Sequence, residues 1–135
     1  MSTTTLTADE TAVRAALDGF YAAWAAYDPD QVARHYALDA TTIVPGGMNR
    51  GRDEVRDFFA VGFQGRLQDT TVIDESRYIR FPADGTAVVV TEGGILGAGE
   101  ASIPAERLVR GTYVLVRQDG EWLITAFHSC PLHAS

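Results

Sequence analysis

Apolar residues near the start of the chain recur at three- and four-residue spacing, the period of a helix that buries one face. The repeat runs from Val13 to Tyr27. Before it, Thr7-Ala8-Asp9-Glu10 has the form of a capping box, in which the threonine hydroxyl and the glutamate carboxylate satisfy the first free N–H groups. The pattern predicts a first helix of about five turns that begins after Thr7.

Two further segments have helical patterns. Asp28-Pro29 places an N-cap residue before a proline at the first helical position, which predicts a second, shorter helix. We expect Val32, His35 and Tyr36 to form its buried side. The segment from Arg52 to Phe63 has an aromatic face and predicts a third helix.

Segments rich in β-branched residues predict five strands. The first is Thr41–Val44, and the next two, residues 70–81 and 86–95, flank a turn. The stretch 107–130 predicts two strands joined by an Asp119-Gly120 turn. Both strands of this hairpin are apolar without alternation, so we expect both of its faces to be covered, one by helices and the other by a second subunit.

The order of these elements predicts an α+β fold. Three N-terminal helices would pack on one face of a strongly curved, mostly antiparallel sheet. The 135 residues are enough for a single domain that buries a substantial core. We interpret residues 1–6 as a disordered tail and residues 7–135 as that domain.

The composition excludes several classes of function. A formal charge of -7 argues against nucleic acid or an anionic membrane as a partner. No apolar run approaches the roughly 18 residues of a membrane span. All eleven basic residues are arginines, which excludes Schiff-base chemistry and a catalytic lysine. The single cysteine, Cys130, and the absence of a signal-peptide pattern in the first residues predict a cytoplasmic protein.

Four features of the chain, in this order, resemble the SnoaL-like, nuclear-transport-factor-2-like superfamily. They are a long first helix ending at Tyr27-Asp28, the segment 36–41, the segment 45–52 with its Arg50-Gly51-Arg52, and the ending 117–128. Within the superfamily the chain is most similar to the SgcJ/EcaC-type proteins, which are associated with enediyne polyketide clusters in actinomycetes. The resemblance implies a cone-shaped domain, a cavity between the helices and the concave sheet, and a homodimer.

The same resemblance limits the chemistry. Steroid isomerases of this fold carry a catalytic aspartate at the position of Val44, which cannot take a proton. Their oxyanion tyrosine aligns with Phe20, whereas the adjacent Tyr21 points about 100° away around the helix. Their second oxyanion acid falls near Tyr113. Steroid isomerisation by paired carboxylic acids is therefore excluded.

Three residues are candidates for acid–base catalysis, each with a structural alternative. His128 titrates near neutral pH and would act as general acid or base, or it lies in a subunit interface. The Tyr113 phenol would donate to a substrate carbonyl, or it belongs to the core. Glu92 would point into the cavity with a raised pKa, or it leaves the sheet at the Gly93-Gly94 bend.

Aromatic residues are candidates for stacking on a flat, conjugated ligand, with an aromatic core as the alternative. Arg110 would bind a ligand carboxylate or lie exposed on a strand. His128, Cys130 and His133 lack the fourth ligand that a zinc site needs, so we predict no metal. No phosphate-binding loop is present, and we predict no cofactor. The aromatic candidates are Phe20, Trp24, Tyr27, Phe58, Phe59 and Phe127.

These observations lead to a functional hypothesis. The chain would be a cytoplasmic homodimer that binds a hydrophobic polyene intermediate of polyketide, specifically enediyne, biosynthesis. It would assist cyclisation or isomerisation by cofactor-free acid–base chemistry. The alternative is a non-catalytic carrier or a partner protein of a polyketide synthase, and a third reading is a dimerisation module.

Overall fold

The computed structural model describes residues 7–133; the predicted tail, residues 1–6, lies outside them. Within this range the chain forms three α-helices, α1 (Ala8–Ala25), α2 (Pro29–Arg34) and α3 (Arg52–Phe63). All three were predicted. The capping box at the first of them is confirmed, because the Thr7 hydroxyl accepts a hydrogen bond from the Glu10 amide at 3.0 Å.

The described strands form one six-stranded sheet in the order β2-β1-β6-β5-β4-β3. Strand β1 runs parallel to β6, and the other neighbouring pairs are antiparallel. The predicted α+β fold with a mostly antiparallel sheet is therefore confirmed. The strands are β1 (Tyr36–Val44), β2 (Gly47–Arg50), β3 (Thr71–Ala83), β4 (Thr86–Leu96), β5 (Val109–Gln118) and β6 (Glu121–Pro131), with a 3-10 turn at Ala105–Arg107.

Two details of the N-terminal half correct the sequence-based prediction. Tyr36 belongs to β1 and His35 only caps α2, so the second helix is shorter than predicted. The reason is long-range pairing, because Tyr36 lies beside Ile124 of β6 and is drawn into the sheet. The short strand β2 was not predicted; it folds back on the end of β1, where Val44 pairs with Gly47.

The turn between β5 and β6 confirms the prediction for the C-terminal hairpin. Asp119 and Gly120 both have positive φ, 52° and 81°. Two successive residues in this region form the tight turn whose twist matches that of the flanking strands.

The two faces of the sheet differ in burial. On the inner face, Val89, Tyr113 and Leu115 are buried in the core with residues of α1 and α3. On the outer face, Arg110 and His128 are exposed. Side chains of this face are therefore available to solvent in the isolated chain. None of the helices in residues 7–133 combines the length and the apolarity that a membrane crossing needs.

Candidate functional site

The carboxyl group of Asp74, on the inner face of β3, is held by two tyrosines. Its Oδ2 accepts hydrogen bonds from the Tyr21 hydroxyl at 2.9 Å and from the Tyr113 hydroxyl at 3.4 Å. Tyr21 lies on α1 and Tyr113 on β5, so three separate elements converge on one carboxyl group. We call Tyr21, Asp74 and Tyr113 the acid cluster.

Gly93 of β4 lies opposite Asp74 in the sheet and leaves room for the carboxyl group. A Cβ atom at this position would lie 2.8 Å from Asp74 Oδ1 and 1.9 Å from the carbonyl oxygen of Ile73. Both distances are shorter than van der Waals contact. Glycine is therefore required for β3 and β4 to approach this closely.

Burial controls the protonation of the acid cluster. It raises the pKa of Asp74 above its ordinary value of 3.8, because the charged form loses hydration. The hydroxyls of Tyr21, Tyr113 and Thr91 act in the opposite direction, since they stabilise the carboxylate. Burial, together with the nearby carboxylate, also raises the pKa of the Tyr21 and Tyr113 phenols, which stay protonated as donors. Asp74 is thus the member of the cluster that exchanges a proton most readily, whereas the two phenols keep theirs.

The acid cluster borders a cleft of about 320 Å³ between α1 and β3. This volume is at the lower end of the range for small-molecule sites. Both Tyr21 and Asp74 line it, so the carboxyl group can be reached from outside. The other lining residues are Arg14, Leu17, Asp18, Glu75 and Ser76.

A second cleft, of about 470 Å³, lies between α1, α2 and the β5–β6 turn. Its lining includes His35, whose pKa is lowered mainly by burial. The imidazole therefore favours its neutral form. We place the candidate site in the smaller cleft because the half-buried, hydrogen-bonded carboxyl group of Asp74 lies there.

We expect Asp74 to titrate at a higher pH than an exposed aspartate, because burial favours its neutral form. Its folded pKa exceeds the unfolded value, so its contribution to the free energy of unfolding is fully present below pH 3.8 and is lost as the pH rises through the folded pKa. Carboxyl ¹³C NMR checks the titration, and urea unfolding of wild type and Asp74→Asn at acidic and neutral pH checks the linkage. A carboxyl signal that titrates at or below 3.8 would contradict this reading.

The three predicted catalytic residues do not lie together. Tyr113 is part of the acid cluster and is 3% exposed. His128 pairs with Thr112 on the outer face, away from Tyr113, whose neighbour in β6 is Phe127. The Tyr113 side chain thus lies at the candidate site, whereas His128 does not.

Glu92 and Arg110 bind each other on the outer face of the sheet. The Arg110 Nη2 lies 3.0 Å from Glu92 Oε2, and Arg77 contacts the second oxygen at 3.0 Å. Arg110 and then Arg77 hold the pKa of Glu92 below its ordinary value of 4.5, the direction opposite to that of a general acid. The Arg110 guanidinium is occupied by this ion pair.

The predicted aromatic ligand-binding residues divide into core and surface. Phe20, Trp24 and Phe59 are buried and contact one another edge to face, with centroids 5.0 to 6.2 Å apart. Tyr27 and Phe58 are each 39% exposed. Phe127 stacks on Tyr113 at 4.4 Å. None of these residues lines either of the two clefts, and ligand stacking by them stays a prediction.

Asp74 was not among the residues predicted from the sequence, and Tyr21 was set aside. A signal for Asp74 was present, because Val72, Asp74 and Ser76 alternate with exposed residues and share the half-buried face of β3. A carboxylate at such a position needs partners. Tyr21 was set aside because it points away from Phe20, and that orientation directs its hydroxyl toward the edge strand β3.

Across residues 7–133, no three side chains of the metal-ligating types come together. A family model described as a SnoaL-like domain matches residues 13–133 of the chain. No protein with curated annotation matches it.

Solved structures share the fold at low sequence identity. A protein of unknown function with a cystatin-like fold from Nostoc punctiforme is 24% identical, with a TM-score of 0.85 over 96% of this chain and 81% of that one. A ketosteroid isomerase-like protein from Erwinia carotovora atroseptica is 18% identical, with a TM-score of 0.72 over 96% and 100%. A candidate dehydratase of the NTF2-like family from Streptomyces avermitilis is 21% identical, with a TM-score of 0.73 over 93% and 97%.

Proposed function

Because this chain belongs to the SnoaL-like domain family, we propose that it binds a small carbonyl compound in the cleft between α1 and β3 and transfers a proton without a cofactor. The observation that carries the proposal is the Asp74 carboxyl group. It has a raised pKa, it accepts from two phenols, and it borders a cleft of suitable volume. Perturbed acids in clefts are typical of acid–base sites.

The proposed step begins with ionised Asp74. Its carboxylate removes a proton from the carbon next to the substrate carbonyl, so that a C–H bond breaks and an O–H bond forms on Asp74. The electron pair moves to the carbonyl oxygen. Asp74, whose acid proton exchanges with water in the open cleft, then returns a proton to the same molecule, at the same carbon or at a conjugated one, which leaves the enzyme unchanged.

The physical environment suits this step. A carboxylate with a raised pKa is a stronger base than an exposed one, and catalysis is most efficient when the pKa lies near the working pH. Tyr21 and Tyr113 fix the orientation of the carboxyl group from two sides. Within this shared fold, the names of the Erwinia and Streptomyces proteins, isomerase-like and dehydratase, support acid–base chemistry as the class of reaction.

The finer identity of the ligand rests on the sequence resemblance. A polyene intermediate of polyketide biosynthesis, and an enediyne pathway in particular, stays a prediction. So do a cavity lined by aromatic residues, the cytoplasmic location, and a homodimer formed through the outer face of the sheet. The alternative function, a non-catalytic carrier or a polyketide synthase partner, would use the cleft for binding alone.

The test is deuterium incorporation from D₂O into small enolisable ketones, namely cyclohexanone, cyclohex-3-enone and 4-oxopentanoate, followed by NMR. We expect the wild type to accelerate exchange in at least one of them. Asp74→Asn should lower that rate by about 10²- to 10⁴-fold, the usual contribution of a general base. The amide keeps the size of the side chain but cannot take the proton.

Glu75→Gln is the matched control, because Glu75 is the next residue of β3 and lines the same cleft but is exposed. We expect it to retain most of the exchange rate. Equal rates in wild type and Asp74→Asn, or no acceleration by the wild type with any of the three ketones, would favour the carrier function.

A further inference from the structure

Arg14 is a basic residue in the cleft of the acid cluster, and its guanidinium lacks a partner within residues 7–133. It lies two turns before Tyr21 on α1, so both side chains are on the cleft side of the helix. Its Nε is buried without a hydrogen-bond acceptor. The ion pairs among the described residues do not include it.

None of the acidic residues around the cleft forms an ion pair with the Arg14 guanidinium. Asp74 accepts from Tyr21, and Glu75 binds Arg77 at 2.7 Å. Asp18, one turn after Arg14, is exposed and lies beyond ion-pair distance. The Arg14 guanidinium therefore has no acidic partner among residues 7–133, and an anion that enters the cleft can supply one.

We propose that Arg14 is the binding subsite for a carboxylate on the ligand of this cleft. The two Nη groups of a guanidinium form a fork that matches the two oxygens of a carboxylate. This inference rests on the proposed function, because it places the carboxylate beside the Asp74 proton-transfer site. It narrows the substrate class to small keto acids, in which one end binds Arg14 and the carbon next to the carbonyl reaches Asp74.

The first experiment measures binding and does not depend on turnover. 4-Oxopentanoate and its methyl ester are titrated into ¹⁵N-labelled protein, with the Arg14 Nε–H and the Ser76 amide as reporters. We expect the acid to bind about tenfold or more tightly than the ester. Arg14→Gln should abolish this preference, and Arg14→Lys, which keeps the charge without the fork, should retain part of it.

Arg34→Gln is the matched control, since it removes one positive charge from the other cleft. Unchanged circular dichroism would show that the variants are folded. A preference for the acid that survives in Arg14→Gln, equal binding of acid and ester, or shifts confined to the second cleft would overturn the proposal.

A second readout separates this inference from the proposed function. Arg14→Gln should slow deuterium exchange of 4-oxopentanoate but leave that of its methyl ester unchanged. Asp74→Asn should slow exchange of both while retaining the preference for binding the acid. If Asp74→Asn exchanges normally but Arg14→Gln loses the preference, the carboxylate subsite stands and the catalytic proposal fails.

Discussion

Replacing Gly93 by alanine is expected to destabilise the protein by more than about 3 kcal/mol, beyond the usual range for an overpacked core. The added methyl group would lie 1.9 Å from the Ile73 carbonyl oxygen. Because that atom belongs to the backbone, no side-chain rotation relieves the contact, and β3 must move away from β4. The acid cluster should be lost with it, because Asp74 is carried by the displaced strand. Urea unfolding, with the Asp74 ¹³C signal as a local reporter, measures both effects.

Gly47→Ala provides the control for this substitution. Gly47 also lies in a strand, but a Cβ there would meet only Val44 Cγ2 at 3.5 Å, an ordinary contact. We expect a change in unfolding free energy of less than about 1 kcal/mol, within the range of mild substitutions. Similar losses in the two variants would mean that the effect comes from the loss of glycine in a strand in general and not from the close approach of β3 to β4.

Phe20→Ala is expected to lower the free energy of unfolding by about 3–5 kcal/mol, the usual loss when a buried phenylalanine is truncated. Phe20 is 2% exposed, and its ring contacts those of Tyr36 and Tyr113 edge to face at 5.6 and 6.3 Å. Removing it leaves a cavity between α1 and the sheet. Chemical denaturation followed by Trp24 and Trp122 fluorescence checks the value.

Phe58→Ala separates burial from aromatic character. Phe58 contacts Phe59 on α3 but is 39% exposed, so less apolar surface returns to water when it is truncated. We expect Phe58→Ala to lower the free energy of unfolding by less than about half as much as Phe20→Ala, because the Phe58 side chain buries less area. If both variants lose the same stability, or if Phe20→Ala is tolerated without loss, Phe20 does not anchor the core as described.

Much of the fold could be predicted because its signals are local. The period of α1, the Asp28-Pro29 start of α2 and the Asp119-Gly120 turn each depend on a few neighbouring residues. The start of β1 could not be predicted in this way. Tyr36 follows directly on a helix, and only its pairing with Ile124 makes it part of a strand.

The site was less accessible to sequence analysis, because it depends on which way side chains face. Glu92 attracted attention as a carboxylate in an apolar strand, but the register of β4 places it on the outer face beside Arg110. Asp74 lies in a more polar strand and attracted none. The Asp74 side chain lies on the inner face of the sheet because Asp74 pairs with Gly93, which belongs to that face. Tyr113 was identified through the resemblance to steroid isomerases. A resemblance to a known fold carries information on long-range contacts, whereas the local sequence pattern does not.

The parallel pairing of β1 with β6 also bears on how the chain folds. The β3–β4 and β5–β6 pairs each join neighbours in sequence, so little chain entropy is lost when they form. The β1–β6 pair has to close a loop that contains α3 and the four other strands of the sheet. Such non-local contacts slow folding. We infer that the two hairpins form early and that docking of β1 on β6, which joins β1 and β2 to the rest of the sheet, sets the folding rate.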